Sequence, residues 1–592
     1  MDRPKDTLPV ARWLLVAALG VGTAAACSSG EGGTQIEPDL EPFVPGDCLP
    51  GELILDDGTC LPAGLPPPPP CEPGSVVAPA PGDCCAAGTV PLPDGSCQEA
   101  GVPPDGCGTG FVPDDEGGCV AVMPSATCGL GEMALPGETT CRVVAPCGGG
   151  TWGAIPVDTT TQHVDGAYVG GNSDGSSAAP WTTIGDGVTA AAPGAIVAVA
   201  AGTYAEGVVI TGRPVRIWGR CPGLVSIEPP GDGVRIGLGA DGSELHTLTI
   251  RGGGIGVDNA GAADVLVDRL LVANATDHAI RVRGDDHATN EASLTVTGSL
   301  IEAGHRSGIL AAGSDLTVED TVVHRGSEQS ITGGEGIRVE AYAFGGNPQV
   351  PEATIRRVVV ERTYRLGILF SGASGVIEDT LVRNILPTQG VGRGLAIEAH
   401  PEVFSRSDVV VRRSVVEGAH ELGVLVSGST AELENTVVRA TQPSPITNES
   451  AGIHVQPQGA ERSRLTLRHS SILETPGIGI GVYSADLELA GAIVRDVSYA
   501  LNGMEGTGVL LGVSSRTLES SEATIAGSRI ERHEGDGLRV WSAEADLVAT
   551  VIGGEPQGPT QSAGVGILMD EDGALEVAPV LTVTGSLVRD NR

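Results

Sequence analysis

The chain is poor in aromatic residues: 5 Trp, 6 Tyr and 5 Phe stand among 592 positions, or 3%. Its core must therefore be aliphatic, and the scarcity of aromatic platforms counts against sugar binding. Basic residues are scarce as well. With 35 Lys and Arg against 74 Asp and Glu, the formal net charge is −39 and the pI is near 4.5. That balance excludes nucleic acid as a partner. It also disfavours anionic polymers, because no basic stripe stands out along the sequence to offset repulsion. Long apolar runs are missing too. The run WLLVAALGVGTAAA, from Trp13 to Ala26, is too short to span a bilayer as a helix.

What the chain has instead is glycine, 88 residues of it, and repetition. From about Ala279 onward a short turn of chain recurs at Gly308, Gly367, Gly423, Gly479 and Gly537. A longer one recurs at Gly336, Gly394, Gly452, Gly508 and Gly566. Like positions are 56 to 59 residues apart and successive turns 27 to 31 apart. Each turn is a set of short apolar alternations separated by Gly, Ser, Asp and Asn, with no helical spacing. In GILAAGSDLTVEDTVV, Ile309 is followed by Ala311, Leu316 by Val318 and Thr321 by Val323, so each run sends alternate side chains inward. Three strands per turn follow, and no single turn can bury its apolar face alone. The fold class is all-β, a stack of parallel rungs at about 4.8 Å, with about 14 rungs from Val208 onward.

Stacking makes a prediction about charge. Aligned on the Val-Val run, one column reads Glu319, Arg356, Glu378, Arg412, Glu434, Arg468. The next reads Asp320, Arg357, Asp379, Arg413, Asn435, His469, and a third reads Glu361, Arg383, Glu417, Arg439. Alternating signs relieve the repulsion that in-register parallel strands would otherwise impose. The third column fails at Leu473, and the first lapses at Ala490 and Ala526. Internal compensation marks these ladders as structural.

The N-terminal segments differ in character. Residues 1–26 place Arg3, Lys5 and Arg12 ahead of the apolar run, the pattern of an export signal. The segment resembles a bacterial lipoprotein signal, whose lipobox here reads Ala24-Ala25-Ala26-Cys27, with Ala where the family usually has Leu. The resemblance implies lipidation at Cys27, a membrane partner reached through that anchor, and, with Ser28 following, the outer membrane or cell surface. Simple cleavage and secretion is the alternative. Residues 27–47 form an acidic tether. Residues 48–147 carry cysteines in pairs, with 12-residue separations at Cys48/Cys60, Cys85/Cys97 and Cys107/Cys119 and 13-residue separations at Cys71/Cys84 and Cys128/Cys141. In an exported chain this is a disulfide framework in which each pair closes its own loop, while Cys147 and Cys221 pair or stay free. Zinc is the competing reading, and the missing C-x-x-C spacing argues against it. This region reads as a stalk.

Residues 148–206 lead into the rungs. Pro180, Trp181, Thr182, Ile184, Gly202, Thr203, Tyr204 and Glu206 stand as in the N-terminal segment of right-handed parallel β-helix proteins of the pectate-lyase-like superfamily, which the chain resembles. The resemblance implies a right-handed parallel β-helix over residues 207–592, with a short helix at Gly185 to Ala192 covering the first edge. It does not imply a lyase. The chain stops at LTVTGSLVRDNR, midway through a rung, and reads as a fragment of a longer product.

Chemistry is thinly represented. Asp285, Asp286 and His287 form a carboxylate-rich loop tip that only superficially resembles the Gly-Asp-Asp of polygalacturonases, whose companion motifs are missing. A solvated loop or a weak calcium contact explains the trio equally well. His305 and His420 precede rung glycines where Tyr364, Pro476 and Glu534 stand in other rungs, which indicates solvent-facing turns. Asp570, Glu571 and Asp572 make another acidic tip. No catalytic residue, metal site or cofactor is assigned. The leading reading is a non-enzymatic surface lipoprotein whose rod contacts an envelope or matrix polysaccharide or protein. The alternative is an extracellular polysaccharide lyase or hydrolase, and a repeat array varying in rung number is a third.

Overall fold

The computed structural model describes residues 96–592 apart from 285–291, 326–333, 345–346, 501–505, 554–564, 572–577 and 590–592. Before residue 96 it describes only 52–54, 60–62, 76–77, 84–85 and 89–92. Two units result. In the first, Met1–Pro67, Glu52–Ile54 pairs antiparallel with Cys60–Pro62. The second, Pro68–Arg592, is the right-handed parallel β-helix with its attachments.

Each rung contributes one strand to each of three sheets. Sheet 1 runs from Gln162–Val164 to Val580–Thr584 with 16 strands. Sheet 2 runs from Gly202–Tyr204 to Leu587–Arg589 with 15, and sheet 3 from Val208–Ile210 to Ile567–Asp570 with 14. Every strand pairs in parallel with its equivalent one rung on, and the connections have the right hand that parallel crossovers adopt. The enclosed core is aliphatic throughout, with Val, Ile, Leu and Ala supplying nearly all of it and Phe370 and Tyr204 as its aromatic members.

The register places the charge columns as their spacing requires. Glu378 lies between Arg356 and Arg412, and Arg412 between Glu378 and Glu434. Arg356 reaches Glu319 at 3.0 Å and Arg412 reaches Glu434 at 3.2 Å. The second column occupies a sharp corner between sheets 1 and 2. Asp320, Arg357, Asp379, Arg413, Asn435 and His469 all have φ between 47° and 51°, the left-handed region that costs a non-glycine residue about 1–2 kcal/mol. Hydrogen bonding offsets that cost. Arg357 N donates to Glu378 O at 3.1 Å, and its guanidinium forks onto both oxygens of Asp320 at 2.6 Å.

The residue after the corner is a buried hydroxyl. Thr380, Ser414, Thr436 and Ser470 are at most 3% exposed. Thr380 N donates to Ser414 Oγ at 3.1 Å, and Thr380 Oγ1 donates to Glu378 O at 2.8 Å. The hydroxyl of one rung thus takes up the corner amide of the rung before it, which is why the repeat reads Thr/Ser before Val-Val. The rung glycines mark a close approach. A Cβ on Gly367 would stand 2.4 Å from Gly394 O and 2.6 Å from a Val382 methyl, and Gly394 is equally confined.

The lead-in segment closes the first edge. Helix α1, Ile184–Ala190, sinks Ile184 and Val188 into the core. Thr183 accepts from Asp186 N, and the Glu206 carboxylate accepts from Ile184 N and Gly185 N at 2.8 and 3.0 Å. Arg213 donates to the carbonyls of Val188, Thr189 and Ala191 at the other end.

The cysteine region pairs as its spacing suggests: Cys85–Cys97, Cys107–Cys119 and Cys128–Cys141 each close a small hairpin, and Cys147 joins Cys221. The sulfurs of Cys48, Cys60, Cys71 and Cys84 fall outside the described residues. The stalk reading needs correction from Cys85 onward, because these hairpins lie along the outer face of sheet 2. Val90, Val102, Phe111, Met133 and Val144 form one cluster with Leu271, Leu300, Val322, Val359, Leu381, Val415, Val437 and Ile493. Gly101 N donates to Gly491 O at 2.8 Å, and Asp114 meets Arg439 at 3.3 Å. The outward residues of sheet 2 form an apolar stripe, which costs free energy unless covered.

Candidate functional site: the outer face of sheet 3

Sheet 3 presents its outward side chains between two rows of loops. The strands His278–Arg283, Ser307–Ala312, Glu335–Glu340, Leu366–Ser371, Arg393–Glu398, Leu422–Ser427 and Ala451–Gln456 lie on successive rungs. Isoleucine, valine and similar residues at alternate positions enter the core. The outward column reads Arg281, Leu310, Arg338, Leu369, Ala396, Leu425, His454. Where Ala396 leaves space, Arg393 reaches along its own strand to Glu398 at 3.4 Å and to Glu421 at 3.0 Å. A cationic or imidazole group therefore recurs at every second rung, about 9.6 Å apart.

Each guanidinium is held in place. Arg338 is clasped by Glu335 at 3.3 Å and Glu340 at 2.7 Å, while Arg281 meets the buried Asp258 at 2.9 Å. Burial works against the charge on Arg338, but Glu340 and Glu335 outweigh it and hold its pKa above the ordinary arginine value. At the N-terminal end of this face lies a cleft of about 490 Å³. Arg281, Arg283, Arg306, Arg338 and Arg365 line it with Tyr342, against the two carboxylates Glu335 and Glu340. At its back, His278 Nδ1 lies 2.7 Å from Ser307 Oγ, and His278 Nε2 lies 3.5 Å from Asp277. Burial pushes the His278 pKa down to about 4 against the pull of Asp277, so the ring is neutral at physiological pH. Planar, pre-oriented donors next to fixed carboxylate acceptors suit a hydroxyl-rich or carboxylate-bearing ligand.

Several residues singled out in the sequence lie elsewhere. Cys27, the trio Asp285, Asp286 and His287, and Asp572 fall outside the described residues. His305 is exposed, as a turn residue should be, but it also lines the cleft. His420 is structural: its Nδ1 bonds Ile385 O at 2.9 Å, and its backbone bonds Gly392. Asp570 pairs with Arg539 at 2.8 Å, and Glu571 is exposed. Sequence reasoning missed Arg281, Arg338, Glu335, Glu340 and Arg393. Reading a column through the first strand after each rung glycine would have shown arginine returning there.

No protein-family model matches the chain, and no curated protein does. Among solved structures it is similar to the catalytic domain of an alpha-1,3-glucanase in complex with tetrasaccharides, at 15% identity and a TM-score of 0.39, covering 75% of this chain and 71% of that one. A pectate lyase is similar at 13% identity and a TM-score of 0.34, over 55% of this chain and 78% of that one. The A-module of a mannuronan C-5 epimerase from Azotobacter vinelandii is similar at 13% identity and a TM-score of 0.33, over 69% and 95%. All are right-handed parallel β-helices, and at such identities nothing about substrate passes from them to this chain.

Proposed function

We propose that the protein is a non-enzymatic, surface-displayed rod that holds a linear envelope or matrix polysaccharide along the outer face of sheet 3. The observation that carries this reading is the set of three paired guanidiniums, Arg281, Arg338 and Arg393, on alternate rungs, a spacing of about 9.6 Å that is comparable in length to a disaccharide. Their ion pairs favour binding over cleavage. Arg338 keeps its proton, so it is no base, and both carboxylates of the cleft are tied to arginine instead of standing apart as an acid and base pair. Lipid attachment at Cys27 and display at the outer membrane belong to the same proposal. Cys27→Ala should move the protein from the membrane fraction to the soluble one.

The deciding experiment measures affinity of the ectodomain for immobilised uronate and neutral polysaccharides, alongside product analysis with and without calcium. Saturable binding without unsaturated or reducing-end products, weakened about tenfold or more by Arg338→Ala, is the expected result. Sustained product formation would establish the alternative, a polysaccharide lyase or hydrolase. Absence of binding to every polymer would remove the reading.

A further inference from the structure

Two of the scarce aromatic residues stand on sheet 3 well beyond the cleft. Tyr483 pairs in register with Gly512, and the pairing of Leu511 with Val540 puts Trp541 on the far side of that glycine. A Cβ on Gly481 would lie 3.2 Å from the Tyr483 ring, and one on Gly512 would lie 3.4 Å from Tyr483 and 3.2 Å from Trp541. Both rings therefore rest against bare glycine backbone, and both remain half-buried. His454, one rung before Tyr483, stacks on it with centroids 5.0 Å apart and planes at 28°. Burial pushes the His454 pKa down to about 4, so the group is uncharged at neutral pH. Arg393, which acts on His454, is paired with Glu398 and Glu421, and Asp570, the register partner of Trp541, is paired with Arg539.

We propose that His454, Tyr483 and Trp541 form a stacking subsite for neutral hexopyranose rings of the bound glycan. The Tyr483 and Trp541 backbones are two rungs apart, about 9.6 Å, and both rings lean over Gly512 between them, so together they floor a chain running along the rod axis. The apolar C–H face of a pyranose lies on each ring, and the hydroxyl edges reach the flanking pairs. This inference rests on the polysaccharide reading above and names the sugar class at one end of that surface. Without a ligand, the same rings would simply shield glycine backbone, and that is the outcome the test must separate.

The test uses the ectodomain with cellohexaose and hexagalacturonate as probes, followed by calorimetry and tryptophan fluorescence. Cellohexaose should bind and quench fluorescence. Trp541→Ala and Tyr483→Ala should each weaken it about tenfold, while Trp541→Phe retains most of the affinity. Unchanged thermal unfolding of the variants guards against misfolding, and quenching in the unaltered protein is an independent readout. If the protein binds polysaccharide and Arg338→Ala weakens that binding while both aromatic variants bind cellohexaose like the parent, the subsite is overturned and the polysaccharide reading stands. If neither probe nor any polymer binds, both are overturned.

Discussion

Sheets 2 and 3 share one interior and differ only in what they turn outward. On sheet 2 the outward column is Leu, Val and Ile apart from Ser471 and Arg529, and disulfide-closed hairpins cover it. On sheet 3 arginine or histidine alternates with aliphatic residues, the charges are clasped by neighbouring carboxylates, and a cleft is left open to solvent. The comparison teaches that the rung repeat specifies the inside, and that the outward residues decide whether a face is scaffold or surface. A covered apolar face lends rigidity, whereas an open face of pre-oriented donors lends recognition.

The largest test of that contrast is a charge placed on each face. Val437→Asp should destabilise the second unit by about 3–5 kcal/mol, since a carboxylate would be buried beneath a hairpin with no partner. Gln456→Asp, half-buried on sheet 3, should change stability by less than about 1 kcal/mol. Equal losses in chemical denaturation would break the distinction.

Replacing Cys107 and Cys119 by Ala should cost about 3 kcal/mol by releasing a short closed loop. It should also raise hydrogen exchange in the sheet 2 strands near Val437 while leaving the sheet 3 strands near Arg338 protected. Uniform deprotection would mean that the hairpins are no local cover.

Acid should act in part through sheet 3. The folded His278 pKa is lowered to about 4 from the ordinary 6.5, so the unfolded chain takes up a proton that the fold refuses. Its contribution is therefore full above about pH 6.5 and declines as pH falls towards 4, by about 1–3 kcal/mol in all. His278→Gln should flatten that part of a melting profile measured against pH, and an unaltered slope would remove the assignment. Smallest of all, Arg412→Ala in the exposed ladder of sheet 1 should cost at most about 1 kcal/mol, with the loss shrinking in high salt.

Much of the interior was legible because its two periods, two residues along a strand and one rung along the chain, are written locally. Glu378 could be placed between Arg356 and Arg412 from spacing alone. Leu473 shows where such reading stops. In the sequence it looks like a lapse in the third ladder. In the structure it lies under the cysteine hairpins, and the ladder resumes with Arg495 over Glu531 at 3.5 Å. The partners of that region, Asp114 on Arg439 and Glu116 on Arg495 and Arg532, are more than 300 residues apart, and no local pattern announces them. The cleft was hidden for a related reason. A net charge of −39 averages over the whole chain, while five arginines from four successive rungs converge on one small volume.

By itself the sequence determined the coil of parallel rungs, the alternating columns and the cysteine pairs at Cys85/Cys97, Cys107/Cys119 and Cys128/Cys141, because each depends on residues at a fixed and short separation. Only the tertiary structure decided that those hairpins lie on sheet 2 and that arginine gathers on sheet 3. Contacts between distant segments follow from which outward surfaces lose least by staying in water, and that competition is settled over the whole fold.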